Sequence, residues 1–266
     1  MRGFFINGSS SLDLPLMYTL KKSLGQHFLK DENICRKIVS EVQKCPVQNL
    51  LEVGPGGGAL TKYLLEIPHI NFKAVEVDDE KIAFLKKTFP VLKDGIIHQS
   101  FLEIDKPFDL PFTVVGNFPY NISTQILFKI LDWEDEVECV IGMFQKEVAQ
   151  RIASGEGSKK YGVSSVLLQA YFDVTYLFEV NENSFVPPPK VKSAVIKLIP
   201  AKRKLVIKSK KAFFLLVKTA FGQRRKTLRN ACKNLFDTKT LEDSLFDKRA
   251  EQLSVADFAL LSFKLK

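Results

Sequence analysis

The chain has 266 residues, 45% of them hydrophobic and 26% charged. That balance belongs to a folded globular protein and excludes disorder, collagen and coiled coil as whole-chain descriptions; the length allows one large domain, or one large and one small. The formal net charge is +9, which favours a polyanionic or acidic partner.

The charge is unevenly spread. Residues 1–183 hold 19 Lys and Arg against 24 Asp and Glu, a net of −5, whereas residues 184–266 hold 20 against 6, a net of +14. A short basic segment on an acidic body points to one part for chemistry and another for gripping a polyanion. Cys35, Cys45, Cys139 and Cys232 lie far apart, and His27, His69 and His98 are scattered. The spacing predicts free thiols in a reducing cytoplasm, no disulfide framework and no metal site. No apolar run approaches the ~20 residues of a membrane helix, and residues 1–16 are expected to be a loose tail or a non-native extension.

In chain order, residues 31–45 have the apolar spacing of an amphipathic helix. Residues 49–53 form a short apolar strand that runs into a glycine turn, and helix resumes over 59–66. Strand 72–78 leads to helix 79–89, whose first turn is acidic. A third strand begins at 96, a fourth spans 112–116 and a fifth 137–144. Helices are expected over 122–131, 145–154 and 163–172, and closing strands over 174–180 and 194–199. Strands alternating with helices imply an α/β fold with a mostly parallel sheet covered on both faces. The last two strands lack an intervening helix and are expected to form an antiparallel edge. Beyond residue 200 the pattern becomes helical, over 211–221, 224–235, 241–246 and 255–265. The predicted organisation is a tail (1–16), an α/β domain (17–200) and a small basic all-helical domain (201–266).

The glycine-rich turn Glu52-Val-Gly54-Pro-Gly56-Gly-Gly58 sits between a strand and a helix. Glycines there admit a ligand close to the backbone, and the helix start offers free N–H groups. Glu76 follows at the end of the second strand, where a carboxylate can accept the ribose hydroxyls of a nucleotide-like cofactor. These residues alone leave a nicotinamide dinucleotide open.

Asn117-Phe118-Pro119-Tyr120 narrows the choice, because it follows the fourth strand at the carboxyl edge of the sheet. This Asn-x-Pro-Tyr motif belongs to methyltransferases that act on exocyclic amino groups. An adenine N6 lone pair is delocalised into the ring and is a poor nucleophile. Acceptance of its two hydrogens by the Asn117 side-chain carbonyl and the Phe118 backbone carbonyl would aim the nitrogen at a methyl donor and favour the developing positive charge. Pro119 stiffens the turn, and Tyr120 offers a stacking face.

From Leu20 onward the chain resembles the ribosomal RNA adenine dimethyltransferases, which use S-adenosylmethionine. The resemblance rests on Gly25-Gln-His27-Phe-Leu29, the glycine turn, Asn117–Tyr120, Gln145-Lys-Glu-Val148, Phe185-Val-Pro-Pro-Pro-Lys190-Val-Lys-Ser193 and Phe221-Gly-Gln-Arg224-Arg225-Lys226-Thr-Leu-Arg229-Asn230. It implies a Rossmann-like sheet with helices on both faces, a small helical C-terminal domain, and dimethylation of two adjacent adenines in a hairpin near the 3′ end of small-subunit (16S) ribosomal RNA. It further implies a cytoplasmic monomer that acts in small-subunit biogenesis, with the small subunit as partner.

By this resemblance the cofactor residues are His27, Leu29, Gly54, Gly56, Glu76, Ser100 and Asn117. Catalysis falls to Asn117, Phe118, Pro119, Tyr120 and Phe185, with Phe185 packing on the base face opposite Tyr120. Lys190, Arg224, Arg225, Lys226 and Arg229 would hold RNA, the arginines and Lys226 forming a broad cationic helix face. Two positions depart from the family pattern: His27 replaces the usual Asn, and Ser100 replaces an Asp that accepts the cofactor's adenine amino group. Two other readings remain at this stage. One is a large-subunit methyltransferase of the macrolide-resistance type, against which residues 221–230 argue; the other is a non-catalytic assembly factor.

Overall fold

The computed structural model describes residues 27–92 and 94–266; the expected 1–16 tail lies outside them. The first element is a two-residue strand, β1 (Phe28–Leu29), followed by α1 (Glu32–Val42). Asp31 caps α1 by accepting from the backbone N–H groups of Asn33 and Ile34 at 3.1 and 3.2 Å. This helix ends three residues earlier than its periodicity predicts, ahead of Pro46, which cannot continue it.

The α/β core follows in the order β2 (Asn49–Val53), α2 (Thr61–Leu64), β3 (Asn71–Glu76), α3 (Asp79–Thr88), β4 (Ile96–His98), β5 (Phe112–Asn117) and α4 (Ser123–Ile130). It continues with β6 (Val137–Gln145), α5 (Lys146–Ile152), α6 (Val163–Gln169), β7 (Phe172–Val180), β8 (Phe185–Val186) and β9 (Ser193–Pro200). Seven strands form one sheet in the order β4-β3-β2-β5-β6-β9-β7. The pairings from β4 through β6 are parallel, and β9 is antiparallel to both β6 and β7. The antiparallel edge expected from sequence is present, with β9 inserted between β6 and β7. Chain order reverses between β2 and β5, and at such a switch point a crevice opens beyond the strand ends.

Strands β2, β5 and β6 are buried on both faces, which explains their near-continuous apolar runs. Alternate residues feed two cores. Leu51, Val114 and Val140 face one layer with Phe112, Trp133 and Phe144. Leu50, Val115 and Ile141 face the other, against Ile38, Val42 and Leu64.

Beyond β9 come α7 (Lys210–Gly222), α8 (Leu228–Ala231), α9 (Thr238–Leu241) and α10 (Val255–Phe263). Two expectations need correction here. The helix expected over 224–235 is reduced to one turn, because Gln223 leaves helical geometry and Thr227 enters α8 from extended backbone. Arg224, Arg225 and Lys226 therefore lie in a tight turn, not on a helix face. The span 241–246 is likewise a turn of 3₁₀ helix (Ser244–Asp247) after α9. The C-terminal helices bury a core of Phe213, Val217, Phe236, Phe246 and Phe258, which extends into Tyr161, Val166 and Leu167 around α6.

The thiol expectation also changes. Cys45 and Cys139, 94 residues apart in sequence, are joined as a disulfide between the loop after α1 and strand β6. Spacing along the chain carries no sign of this pairing, since the sheet alone brings the two together. Cys35 and Cys232 are free and buried, and burial pushes both thiols up to about 12.

Candidate active site

A cleft opens at the carboxyl ends of β2, β3 and β5. Its lining includes His27, Leu29, Gly54, Gly56, Glu76, Asn117, Phe118, Pro119 and Tyr120. Segments scattered over almost a hundred residues thus meet at one place, as expected at the switch point.

Gly54 and Gly56 have φ of +67° and +56°, in the left-handed region that glycine adopts without a steric penalty. Cβ at Gly54 would touch the Pro119 ring at 3.9 Å, so the two motifs lie against each other. The loop is tied to β3 through Glu76, whose Oε2 accepts from Gly56 N–H at 3.2 Å. Glu76 Oε1 accepts from the N–H groups of Val77 and Asp78 at 2.9 and 3.1 Å. Three of the roughly four lone-pair sites of this carboxylate are used. One site and the long Gly56 contact are what a ribose diol could engage.

Glu52, at the end of β2, also lines the cleft and is buried. It accepts from the Thr61 hydroxyl at 2.6 Å. Burial pushes its carboxyl up to about 8, reinforced by the nearby charge of Glu76 and opposed by the Thr61 bond. Glu52 is therefore largely protonated at neutral pH. Its place inside the glycine motif is the only sequence signal for it, and no sequence signal marks Lys81, which also lines the cleft.

The Asn117–Tyr120 turn is set by packing beneath it. The Phe118 side chain is 1% exposed and meets Phe144 edge-on at 5.1 Å. Its N–H donates to Met143 O at 3.2 Å. With the ring held inside, Phe118 contributes backbone to the cleft. The Asn117 Nδ2 donates to His27 O at 3.1 Å, and its Oδ1 accepts no hydrogen bond among the described residues. The Tyr120 hydroxyl hydrogen-bonds the buried Ser193 Oγ of β9. Burial raises the Tyr120 phenol above its ordinary range, so it stays neutral.

Two expected site residues lie elsewhere. Phe185 is fully buried in the core that contains Leu29 and Ile38, and it does not line the cleft. Pairing of β8 with β1 (Leu29↔Phe185) turns its ring inward. Ser100 lies two residues past His98, the register partner of Glu76, and is also absent from the cleft lining.

The model for ribosomal RNA adenine dimethylase matches residues 17–265 of the chain. The chain belongs to the ribosomal RNA adenine dimethylase family. It is 50% identical over 250 residues to the ribosomal RNA small subunit methyltransferase A of Flavobacterium johnsoniae, covering 92% of this chain and 95% of the relative. It is 51% identical over 242 residues to the protein of the same name from Cytophaga hutchinsonii, covering 90% and 94%. Among solved structures it is similar to a dimethyladenosine transferase from Plasmodium falciparum, with TM-score 0.74, 25% identity, and coverage of 89% and 97%. The 23S rRNA methyltransferase ErmE shares the fold, with TM-score 0.67, 21% identity, and coverage of 90% and 99%.

As a ribosomal RNA adenine dimethylase the protein is an S-adenosylmethionine-dependent methyltransferase with a Rossmann-like sheet. The cleft fits that cofactor on structural grounds: it combines positive-φ glycines with an almost fully buried carboxylate, Glu76, at the end of the neighbouring strand. Among the described residues, no group of three or more His, Cys, Asp or Glu is placed to hold a metal ion. No described helix is long and apolar enough to cross a membrane.

The basic residues divide into two sets. Arg224 pairs with Glu251 at 3.1 Å and donates to Ser158 O at 3.3 Å, and Arg229 pairs with Asp247 at 2.6 Å. Arg225, Lys226 and Lys190 are exposed and form no ion pair among the described residues. Arg224 also lines one polar concavity with Arg151, Lys159 and Lys160, a convergence that distance along the chain conceals.

Proposed function

We propose that the protein dimethylates N6 of two adjacent adenines in a hairpin near the 3′ end of small-subunit 16S ribosomal RNA, as a cytoplasmic monomer acting in small-subunit biogenesis. The observation that carries the chemistry is the Asn117–Tyr120 turn, which opens into the same cleft as Gly54, Gly56 and Glu76.

S-adenosylmethionine supplies an electrophilic methyl group on a sulfonium sulfur. Glu76 and the Gly54–Gly56 backbone would hold its nucleoside end, with His27 and Leu29 beside it in the cleft. Asn117 Oδ1 and the Phe118 carbonyl accept the two N6 hydrogens, which directs the nitrogen lone pair at the methyl carbon. Those acceptors would stabilise the positive charge growing on N6 as it takes the methyl group from the sulfonium sulfur. The N6 proton then passes to solvent, so no strong base is required. Tyr120 holds the flipped adenine by stacking. A second transfer at each base completes four methylations. Lys190, Arg225 and Lys226 face phosphates, and Arg224 and Arg229, braced by their acids, shape the turn that presents them.

The small-subunit assignment is supported by the half-identical relatives named for that subunit. The test is methyl transfer from labelled S-adenosylmethionine to small subunits lacking the modification, with mass mapping of the product. Two dimethylated adjacent adenines are expected. Label confined to large-subunit RNA would overturn the assignment.

A further inference from the structure

We infer that Ser193 is a positioning residue for the methyl transfer, its hydroxyl fixing the plane in which the Tyr120 ring meets the target base. This rests on the reading of Tyr120 as the stacking face for that base.

The backbone end of Tyr120 is held by the turn. Pro119 fixes its own φ, and the Tyr120 carbonyl accepts from the Ser123 hydroxyl at 3.3 Å, at the start of α4. Neither restraint sets the tilt of the ring, because the torsion that joins an aromatic ring to Cβ is broad and roughly two-fold. A platform of undefined tilt does not keep N6 in line with a methyl donor, and small misplacements at a reacting centre are costly. The ring therefore needs a second anchor at its far end.

That anchor is Ser193, 73 positions along the chain, whose Oγ is hydrogen-bonded to the Tyr120 hydroxyl. Ser193 is fully buried, and as the first residue of β9 it is held from both sides. It pairs with Gln145 of β6 and with Val180 of β7. The residue before it is tied as well, since Lys192 O accepts from Lys146 N–H at 2.9 Å. In the sheet order β5-β6-β9, the Tyr120 side chain thus reaches from the turn after β5 past the end of β6 to β9. Burial keeps the phenol neutral, so both hydroxyls retain their protons and either can donate. The ring also stacks on His27, with centroids 5.5 Å apart and planes at 29°. Such a contact tolerates sliding, whereas a hydrogen bond is directional. Ser193 itself does not line the cleft, so it acts through Tyr120 and not on the substrate.

The test is a double-mutant cycle of Tyr120→Phe, Ser193→Ala and the two combined. It is read on labelled methyl transfer to ribosomal subunits lacking the modification, beside S-adenosylmethionine Kd and Tm. The net effect of one hydrogen bond corresponds to about three- to tenfold in rate. Each single variant is expected to lose that factor in kcat with cofactor Kd unchanged. The combined variant should lose no more than either single one, since both changes remove the same tether. Thermal unfolding separates the tether from a stability effect. Each single change leaves one hydroxyl without its partner and the combined change leaves none, so Tm is expected to recover in the combined variant while kcat stays low. Losses that multiply in the combined variant would make the two residues independent and overturn the proposal. So would kcat recovering together with Tm, or full activity in Ser193→Ala. Small and large subunits are assayed side by side. Label confined to large-subunit RNA would overturn the substrate assignment, and the cycle read on that RNA would still decide the tether.

Discussion

Phe118 rests on Gly116, two residues before it in the chain. A Cβ at Gly116 would lie 2.6 Å from the Phe118 ring, and one at Gly142 on the neighbouring strand would lie 2.7 Å from it. The ring fills a space that exists only because two paired positions, Gly116 and Gly142, lack side chains. The position of the Phe118 carbonyl, the proposed backbone acceptor for N6, is thus set by core packing one layer below.

Gly116→Ala is therefore expected to act on both stability and activity. Overpacking a dense core costs about 1–3 kcal/mol. Thermal unfolding should show that loss, and methyl transfer should fall further than the stability loss explains, because the Phe118 carbonyl moves. An alanine variant with unchanged kcat would detach the turn's geometry from this packing.

Asn117→Ala removes the proposed side-chain acceptor for N6 and the tie to His27. Loss of one positioned polar group at a reacting centre costs on the order of 10²–10³ in kcat. Labelled methyl transfer should fall by that factor while RNA affinity changes little. Full activity in the variant would leave Asn117 without its assigned role.

Glu52 makes stability depend on pH. Its folded value of about 8 lies above the ordinary 4.5, so between these values the native protein holds a proton that the unfolded chain has released. Its contribution is fully present below the unfolded value and is lost as pH rises through the folded one, at up to about 1.4 kcal/mol per pH unit. Glu52→Gln should flatten the fall in Tm between pH 5 and 8 and raise Tm at pH 8 relative to the unaltered protein. An unchanged slope would mean that Glu52 is ionised in the native state.

Arg225 and Lys226 are exposed on the turn after α7. Each phosphate contact contributes about 0.7–0.9 to the slope of log affinity against log salt. Replacing both with Gln should weaken RNA binding and lower that slope by about 1.5, while S-adenosylmethionine binding barely responds to salt. Equal salt slopes for RNA and cofactor would contradict the division of charge between the two halves of the chain.

Much of the fold is legible in linear order because its signals are local. The β2 and β5 runs read as buried strands, the glycine turn and Glu76 as a nucleotide site, and Asn117–Tyr120 as an amine-methylating turn; the glycine turn, Glu76 and Asn117–Tyr120 line one cleft. Local signals mislead where one residue breaks a pattern. Gln223 leaves helical geometry and turns a predicted helix face at Arg224–Lys226 into a loop.

The alternation of strands and helices, the chemistry-bearing turns and the basic C-terminal segment follow from linear order, because hydrophobic period, glycine and charge act on near neighbours. Which side chains face one another is set by packing between distant segments. Phe185 is carried into the core by a two-residue ladder, His27 is laid on Tyr120, and Cys45 reaches Cys139. Those outcomes depend on strand register and on the crossing of distant segments. A shift of one residue in a strand turns a side chain to the opposite face, and nothing near it in the sequence records the choice.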